Sequence, residues 1–333
     1  MKPRVLLTHG ASARRNYYGE AALQGLHAIA EVVLNPGEAP LVGDALVEAA
    51  RDCDVVISDR QAAAPAALFQ ALPRLAVFQR CAVDVRNVDV GAAGAAGVLV
   101  TRASAGFGNA VAEWIVGAMI ALGRDFAGAV HAWRGGGTPA VRMGRELRDS
   151  TLGIIGFGVI GRRLAEIAQA LGMRVLVADP HVHDAGGATL LPLDELLPRC
   201  DFVACLAPAT PATENLMDAA RFAAMRPTAF FLNASRGELV DEDALLHALD
   251  RGAIAGCALD VGRAPDQMPS PALAVHPRVL ATPHTGGLTP PAVEHQSLET
   301  VAQLQALLAG RMPAGALNPE QATRLRRWAV PGA

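Results

Sequence analysis

Apolar and polar positions along this 333-residue chain fall into short apolar runs separated by longer amphipathic stretches. Arg4 to Leu7 reads as a strand, Glu20 to Ala30 as a helix, Glu31 to Leu34 as a strand, Leu41 to Arg51 as a helix and Val55 to Ser58 as a strand. The rhythm resumes at Leu152 to Ile155 and runs through Arg174 to Ala178, Phe202 to Leu206, Ala229 to Asn233, Gly256 to Val261 and Arg278 to Ala281. Apolar strands alternating with helices mark parallel sheets covered on both faces, because the crossover that returns each strand must bury its own apolar stripe. The pattern predicts an α/β chain with two doubly wound parallel sheets. Between the two series, Val111 to Arg124 is apolar nearly all round, which predicts a buried helix bridging two domains. A Gly-rich stretch, Gly135 to Gly137, follows it and reads as a flexible turn. Three prolines within Ala264 to Pro271 predict an ordered loop.

Composition narrows the function classes. Apolar residues make up 51% of the chain, enough for a substantial core. Its 29 Lys+Arg nearly cancel 32 Asp+Glu, for a net charge of -3, which argues against a protein that binds by neutralising phosphates. No nucleic-acid or membrane partner is expected, since no apolar run is long enough to span a bilayer. The stretch Met1 to Thr8 is too short for the apolar core of a signal peptide. Five scattered cysteines with no C-x-x-C pair form neither a disulfide framework nor a zinc site, so a reducing cytoplasm is the expected location. Lys2 is the only lysine, so any cation that holds an anionic ligand must be an arginine.

The sharpest local signal is Gly156-Phe157-Gly158-Val159-Ile160-Gly161, which joins an apolar strand to an amphipathic helix. In such a turn the first glycine permits the tight bend, the second admits a pyrophosphate close to the backbone, and the third lets helix and strand pack. Asp179 ends the next strand, where a carboxylate accepts from a ribose 2′-OH and repels a 2′-phosphate. The motif therefore points to NAD over NADP. Two further strand ends offer chemistry: Asn233-Ala234-Ser235-Arg236-Gly237 and Pro283-His284-Thr285-Gly286-Gly287. Carbonyl reduction needs a proton donor and a cation to hold and polarise the substrate, and Arg236 and His284 are candidates for both.

The glycine turn with Asp179-Pro180, the run Leu232 to Glu242, the run Ala258-Leu259-Asp260-Val261 and Thr282-Pro283-His284 together resemble the D-isomer-specific 2-hydroxyacid dehydrogenase family over nearly the whole chain. The resemblance implies a flavodoxin-like substrate domain split between residues 1–102 and 286–333, an inserted Rossmann NAD-binding domain at 103–285, and a homodimer built on the NAD domains. It implies that Arg236 orients a small anionic substrate and that His284 is acid in reduction and base in oxidation. It also adds Asn109, Pro180, Pro208, Ala234, Ser235 and Asp260 to the cofactor contacts.

Three departures from the family pattern stand out. The acidic partner of the histidine is absent from its usual segment, which here reads Asp260-Val261-Gly262-Arg263-Ala264-Pro265-Asp266. Asp266 takes that role if the loop is one residue longer; if it is one shorter, Ala264 occupies the place. A carboxylate beside His284 would raise its pKa and keep it protonated near neutral pH. In the substrate loop, Asp84 stands where a glycine is expected and Arg86 where an acid is expected, so the two are candidates to pair. Either the backbone amides of Val83 and Asp84 still bind a carboxylate, or the pocket takes something other than a simple 2-oxo acid. After Phe202-Val203, Leu206-Ala207-Pro208 replaces a segment that commonly carries a histidine. Arg60 and Arg80 are further candidates for an anionic substrate, with surface solvation the competing expectation.

The leading expectation is an NAD-dependent D-2-hydroxyacid dehydrogenase. A formate- or phosphite-type dehydrogenase of the same fold and an NAD-sensing, corepressor-like binding protein are the alternatives. No regulatory extension is expected after His284, which argues against a long phosphoglycerate dehydrogenase but not a short form. His181, His183 and Asp184 lack further ligands for a metal site. The arginines of Arg324 to Arg327, with Trp328, are expected to cap a terminal helix against the first domain.

Overall fold

The computed structural model describes residues 2–328, apart from the side chains of Asp266 and Arg327. The chain divides into two compact units, one made of Met1–Gly106 with Leu288–Ala333 and the other of Phe107–Gly287.

The first unit holds strands β1 (Arg4–Leu7), β2 (Glu31–Leu34), β3 (Val55–Ser58), β4 (Val77–Arg80) and β5 (Leu99–Arg102). They are parallel throughout, in the order β2-β1-β3-β4-β5, which is the flavodoxin-like winding. Strands β4 and β5 escape the hydrophobic pattern because Gln79, Arg80 and Thr101 are polar yet fully buried. The partners of Gln79 and Thr101 come from far along the chain, on the helix Pro290–Leu308. Gln79 Nε2 donates to the Thr300 carbonyl at 3.1 Å, Thr101 Oγ1 donates to Gln303 Oε1 at 2.7 Å, and Gln303 Nε2 donates to the Arg102 carbonyl at 2.9 Å. The same helix packs Val301, Leu304 and Leu307 against Tyr18, Ala22 and Leu26. The C-terminal turn Thr323–Arg327 is a 3-10 turn, and Arg324 donates to the carbonyls of Leu72 and Leu75 within this unit.

The second unit holds β6 (Thr151–Ile155), β7 (Arg174–Ala178), β8 (Thr189–Leu190), β9 (Phe202–Cys205), β10 (Phe230–Asn233), β11 (Gly256–Leu259) and β12 (Val279–Ala281). Their order is β12-β11-β10-β9-β6-β7-β8, all parallel. The winding direction reverses between β6 and β9, the place where open α/β sheets leave a crevice for a ligand. The apolar helix expected as a bridge is Gly108–Gly123, and it lies wholly inside this unit. Ala112, Ile115 and Met119 enter the core beside Leu152 and Leu164, whereas Ile120 is exposed, so only one face of the helix is covered. No single helix among the described residues is long and apolar enough to cross a membrane. The proline-rich loop contains a 3-10 turn at Pro265–Gln267.

His9, just past β1, is buried with its ring tilted on Tyr18 at a centroid distance of 5.3 Å, and its Nδ1 has no hydrogen-bond partner. Burial pulls its pKa from 6.5 down to about 4; Asp59 opposes this, and Arg80 and Arg14 add to it. Between those two values the unfolded chain binds a proton that the folded chain refuses, so stability is lost as pH falls. From pH 7 to pH 5 this group should remove about 2 kcal/mol of unfolding free energy. Urea titrations of the wild type and His9→Gln at both pH values test this. The variant should lose less stability between them, and equal losses would refute the assignment.

Candidate active site

All strands of the second sheet run the same way, so the segments that follow β6, β9, β10, β11 and β12 emerge at one edge. The glycine turn follows β6. Gly156 has φ +91°, and a Cβ there would sit 2.6 Å from the Ala207 nitrogen, so the bend and the close approach of the post-β9 segment both require glycine. Gly161 is equally confined, with a Cβ site 2.5 Å from the Gly156 carbonyl oxygen. Gly158 differs, since nothing of the protein lies within 4 Å of its Cβ position. It starts the helix Val159–Ala170, which has no side-chain cap and no acidic residue in its first turn. The N–H groups of that turn have no carbonyl within the helix and point outward with the positive end of the helix dipole.

A dinucleotide fits these residues. Uncapped donors and the open side of Gly158 suit a pyrophosphate. Asp179, at the end of β7, accepts from Phe157 N at 2.7 Å and His181 N at 2.9 Å, one bond to each oxygen. Each oxygen keeps a lone pair for a ribose diol. Ser235 Oγ donates to the Ala207 carbonyl at 2.6 Å, fixing the post-β10 loop against the post-β9 segment that carries Pro208. Ala234 is half-buried beside it, whereas Pro180, Pro208 and Asn109 are exposed, Asn109 on the second residue of its helix.

Arg236 and His284 leave the sheet from corresponding positions. Asn233, Leu259 and Ala281 are aligned across β10, β11 and β12, and Arg236, Asp260 and His284 follow them. At about 4.8 Å per strand, the exits of Arg236 and His284 are about 10 Å apart. Asn233 is buried and folds its loop back, accepting from Ser235 N at 3.1 Å and donating to the Arg236 carbonyl at 2.9 Å. Arg236 is half-buried, with Nη1 on the Ser235 carbonyl at 2.7 Å.

His284 has φ +54°, a left-handed conformation that costs a non-glycine residue on the order of 1–3 kcal/mol. The compensation is visible at Asp260. Its buried carboxylate accepts from Thr282 Oγ1 at 2.6 Å, Thr285 N at 2.8 Å and Gly286 N at 2.8 Å. Hydrogen bonds to a charged acceptor are worth about 1.5–3 kcal/mol each, so the clamp outweighs the strain. The sequence motifs contain Asn233 and Thr282, but their holding roles go unread there. An asparagine or threonine at a strand end is common, and only the turn geometry shows what it grips.

Asp266 lies in the 3-10 turn Pro265–Gln267, and its side chain is outside the described residues. Val83 and Asp84 lie just past β4 in the first unit. Asp84 pairs with Arg86, which donates from Nε at 3.1 Å and from Nη2 at 2.9 Å. Arg60 is exposed, but the expectation of surface solvation fails for Arg80, which is fully buried. Arg80 Nη2 donates to the Ala62 carbonyl at 3.1 Å and Asn87 Oδ1 at 2.5 Å, and burial pulls its pKa down to about 10. No group of three or more His, Cys, Asp or Glu side chains able to hold a metal exists among the described residues.

The glycines separate folding from binding. Gly158→Ala should keep the wild-type thermal midpoint and bind NADH at least about tenfold more weakly, the equivalent of one or two lost hydrogen bonds. Gly156→Ala should lower the midpoint itself. Differential scanning fluorimetry with NADH fluorescence titration checks both, and a stable Gly156→Ala would refute the close-approach argument.

Comparison with known proteins agrees with this geometry. Residues 116–286 match the profile of the D-isomer specific 2-hydroxyacid dehydrogenase NAD binding domain. A glyoxylate reductase from Thermococcus onnurineus is 32% identical over 334 residues, covering 96% of this chain and 97% of that protein. A D-3-phosphoglycerate dehydrogenase from Synechocystis is 35% identical over 256 residues, which cover 75% of this chain and 46% of the relative. The chain thus spans about half the length of the phosphoglycerate dehydrogenases it matches. In fold it is similar to the crystal structure described as an NAD-binding D-isomer specific 2-hydroxyacid dehydrogenase from Polaromonas, with a TM-score of 0.88, 23% identity and coverage of 95% of this chain and 100% of that one. The chain belongs to the D-isomer specific 2-hydroxyacid dehydrogenase family and carries its NAD-binding domain.

Proposed function

We propose that the chain interconverts a D-2-hydroxy acid and its 2-oxo acid with NAD, using Arg236 to orient the substrate, His284 as acid and base, and Asp266 as the carboxylate partner of His284. The observation that carries this reading is the common edge onto which Arg236, the clamped His284 turn and the uncapped post-glycine helix all open. When bound, NADH supplies the reducing equivalents, and NAD takes them up in the reverse direction. The Arg236 guanidinium offers a planar pair of donors to a carboxylate and withdraws charge from the neighbouring carbonyl. His284 gives its proton to the carbonyl oxygen as negative charge develops there, and takes it back from the hydroxyl in oxidation. A carboxylate at Asp266 would favour the protonated imidazole.

His284→Asn should reduce turnover by about 10²–10⁴-fold while NADH affinity stays near wild type. Steady-state rates with glyoxylate, hydroxypyruvate and phenylpyruvate measure this, and unchanged turnover would sink the assignment. Formate and phosphite belong in the same panel because Asp84, held by Arg86, replaces the usual glycine of the substrate loop. Tight NADH binding without turnover of any of these acids would instead favour an NAD-sensing protein.

The functional unit we propose is a cytoplasmic homodimer. All five cysteines are free and buried, which suits a reducing compartment. The helix Phe126–Arg134 buries none of its residues, and Phe126, Val130 and Trp133 form an exposed stripe at i, i+4 and i+7. Val141 and Met143 in the segment that follows are fully exposed. An apolar stripe of this kind is self-complementary, as a two-fold contact requires. Light scattering should give twice the mass of 34.5 kDa for the wild type and a monomer for Trp133→Glu; a monomeric wild type would exclude this contact.

A further inference from the structure

The loop between β11 and the 3-10 turn of Asp266 departs from its family's pattern, and Arg263 lies in the departing stretch. Its guanidinium reaches two neighbouring loops of the second unit at once, the one after β9 and the one after β10. The two N–H groups of Nη2 are shared among Glu214 Oε1 at 2.8 Å, Asn215 Oδ1 at 2.7 Å, the Glu238 carbonyl at 3.0 Å and the Val240 carbonyl at 3.3 Å, and Nε donates to the Val240 carbonyl at 3.4 Å. Its own backbone N–H donates to Glu242 Oε1 at 3.1 Å. Glu214 and Asn215 belong to the post-β9 loop that carries Pro208, while Glu238 and Val240 follow directly on Arg236.

These loops are already in backbone contact. Asn215 N donates to the Glu238 carbonyl and Met217 N to the Leu239 carbonyl, each at 2.8 Å. A Cβ on Gly237 would lie 2.2 Å from the Gly262 carbonyl carbon, so the residue after Arg236 abuts the residue before Arg263. Backbone contact sets the register of the post-β9 and post-β10 loops, and Arg263 ties the loop after β11 to that pair. A planar guanidinium with Nε on the Val240 carbonyl and Nη2 among acceptors of both loops holds the loop after β11 in a defined orientation, which a flexible ammonium would not. An exposed Arg–Glu pair alone would contribute little, and here the acceptors include two backbone carbonyls whose positions are set by the loop that bears Arg236.

We infer that Arg263 is a positioning residue, fixing the loop of Arg236 against the loop of Asp266 so that the substrate-orienting cation and the partner of His284 keep one separation. This rests on the roles proposed above for Arg236 and Asp266. Arg263→Ala should lower kcat/KM for the preferred 2-oxo acid by about 10- to 100-fold, with most of the change in KM, because misplacement by about 1 Å has effects of that size. NADH affinity and the thermal midpoint should stay near wild type, since the glycine turn and Asp260 clamp are untouched. Millimolar guanidinium ion should restore part of the loss, and Arg263→Lys should recover less than half of it.

Unchanged kinetics, or a loss of activity matched by equal losses of NADH affinity and thermal stability, would overturn the inference. Should Arg263→Ala fail to fold, the double variant Glu214→Ala with Asn215→Ala removes two acceptors and keeps the guanidinium. It should show the same KM-weighted loss, and wild-type kinetics from it would count against the idea. Arg236→Lys and His284→Asn run in parallel separate the two claims. If they lose activity while Arg263→Ala does not, the positioning role alone fails; if they retain it, the reading of the site fails.

Discussion

Parallel pairing is the constraint from which the rest of this molecule follows. A parallel strand cannot turn straight back into its neighbour, so each must be returned by a crossover, and every strand of a sheet then ends on the same side. In the second unit this brings the segments after β6, β9, β10, β11 and β12 to one edge although they span well over a hundred residues of sequence. Reversal of winding between β6 and β9 parts the flanking helices and leaves the donors of the post-glycine helix uncovered. Chemistry-bearing side chains need only occupy strand ends to be gathered, which is where Asp179, Arg236, Asp260 and His284 stand.

Gathering is not the same as holding. The loops at this edge are each fixed by a short polar side chain that grips backbone: Asn233 for the Arg236 loop, Ser235 for the contact with Ala207, Asp260 for the His284 turn. Asp260 is the strongest of these, because a buried carboxylate must find donors and the turn supplies three. The left-handed backbone at His284 is therefore a consequence of the clamp, and the imidazole inherits a fixed origin from it.

Much of this was legible in the sequence. The second sheet is readable because its strands are continuous apolar runs and its glycine turn has geometric requirements that no other residue meets. In the first sheet β4 and β5 were hidden, since Gln79, Arg80 and Thr101 look solvent-facing until their partners are known. The partners of Gln79 and Thr101 lie two hundred residues away on the helix Pro290–Leu308, beyond the reach of any local pattern. The helix Gly108–Gly123 misleads for the opposite reason: its composition suggests burial on all sides, yet Ile120 faces outward. Arg236 and His284 could be nominated from strand-end position and family resemblance. The grips of Asn233, Thr282 and Arg263 could not, because each depends on which backbone groups come near in three dimensions.

The split of the first unit bears on how the chain acquires its structure during synthesis. Tyr18, Leu26 and Gln79 belong to the first hundred residues, but the helix that covers them is made only after the whole second unit. A nascent chain emerging at about 5–20 residues per second would hold that apolar and amide-bearing face uncovered for on the order of 10 s or more. The second unit, being continuous, can complete its own core in that interval. Residues 290–308 are thus the closing piece of the fold, and until they leave the ribosome the amino-terminal sheet is the part of the molecule most in need of a chaperone.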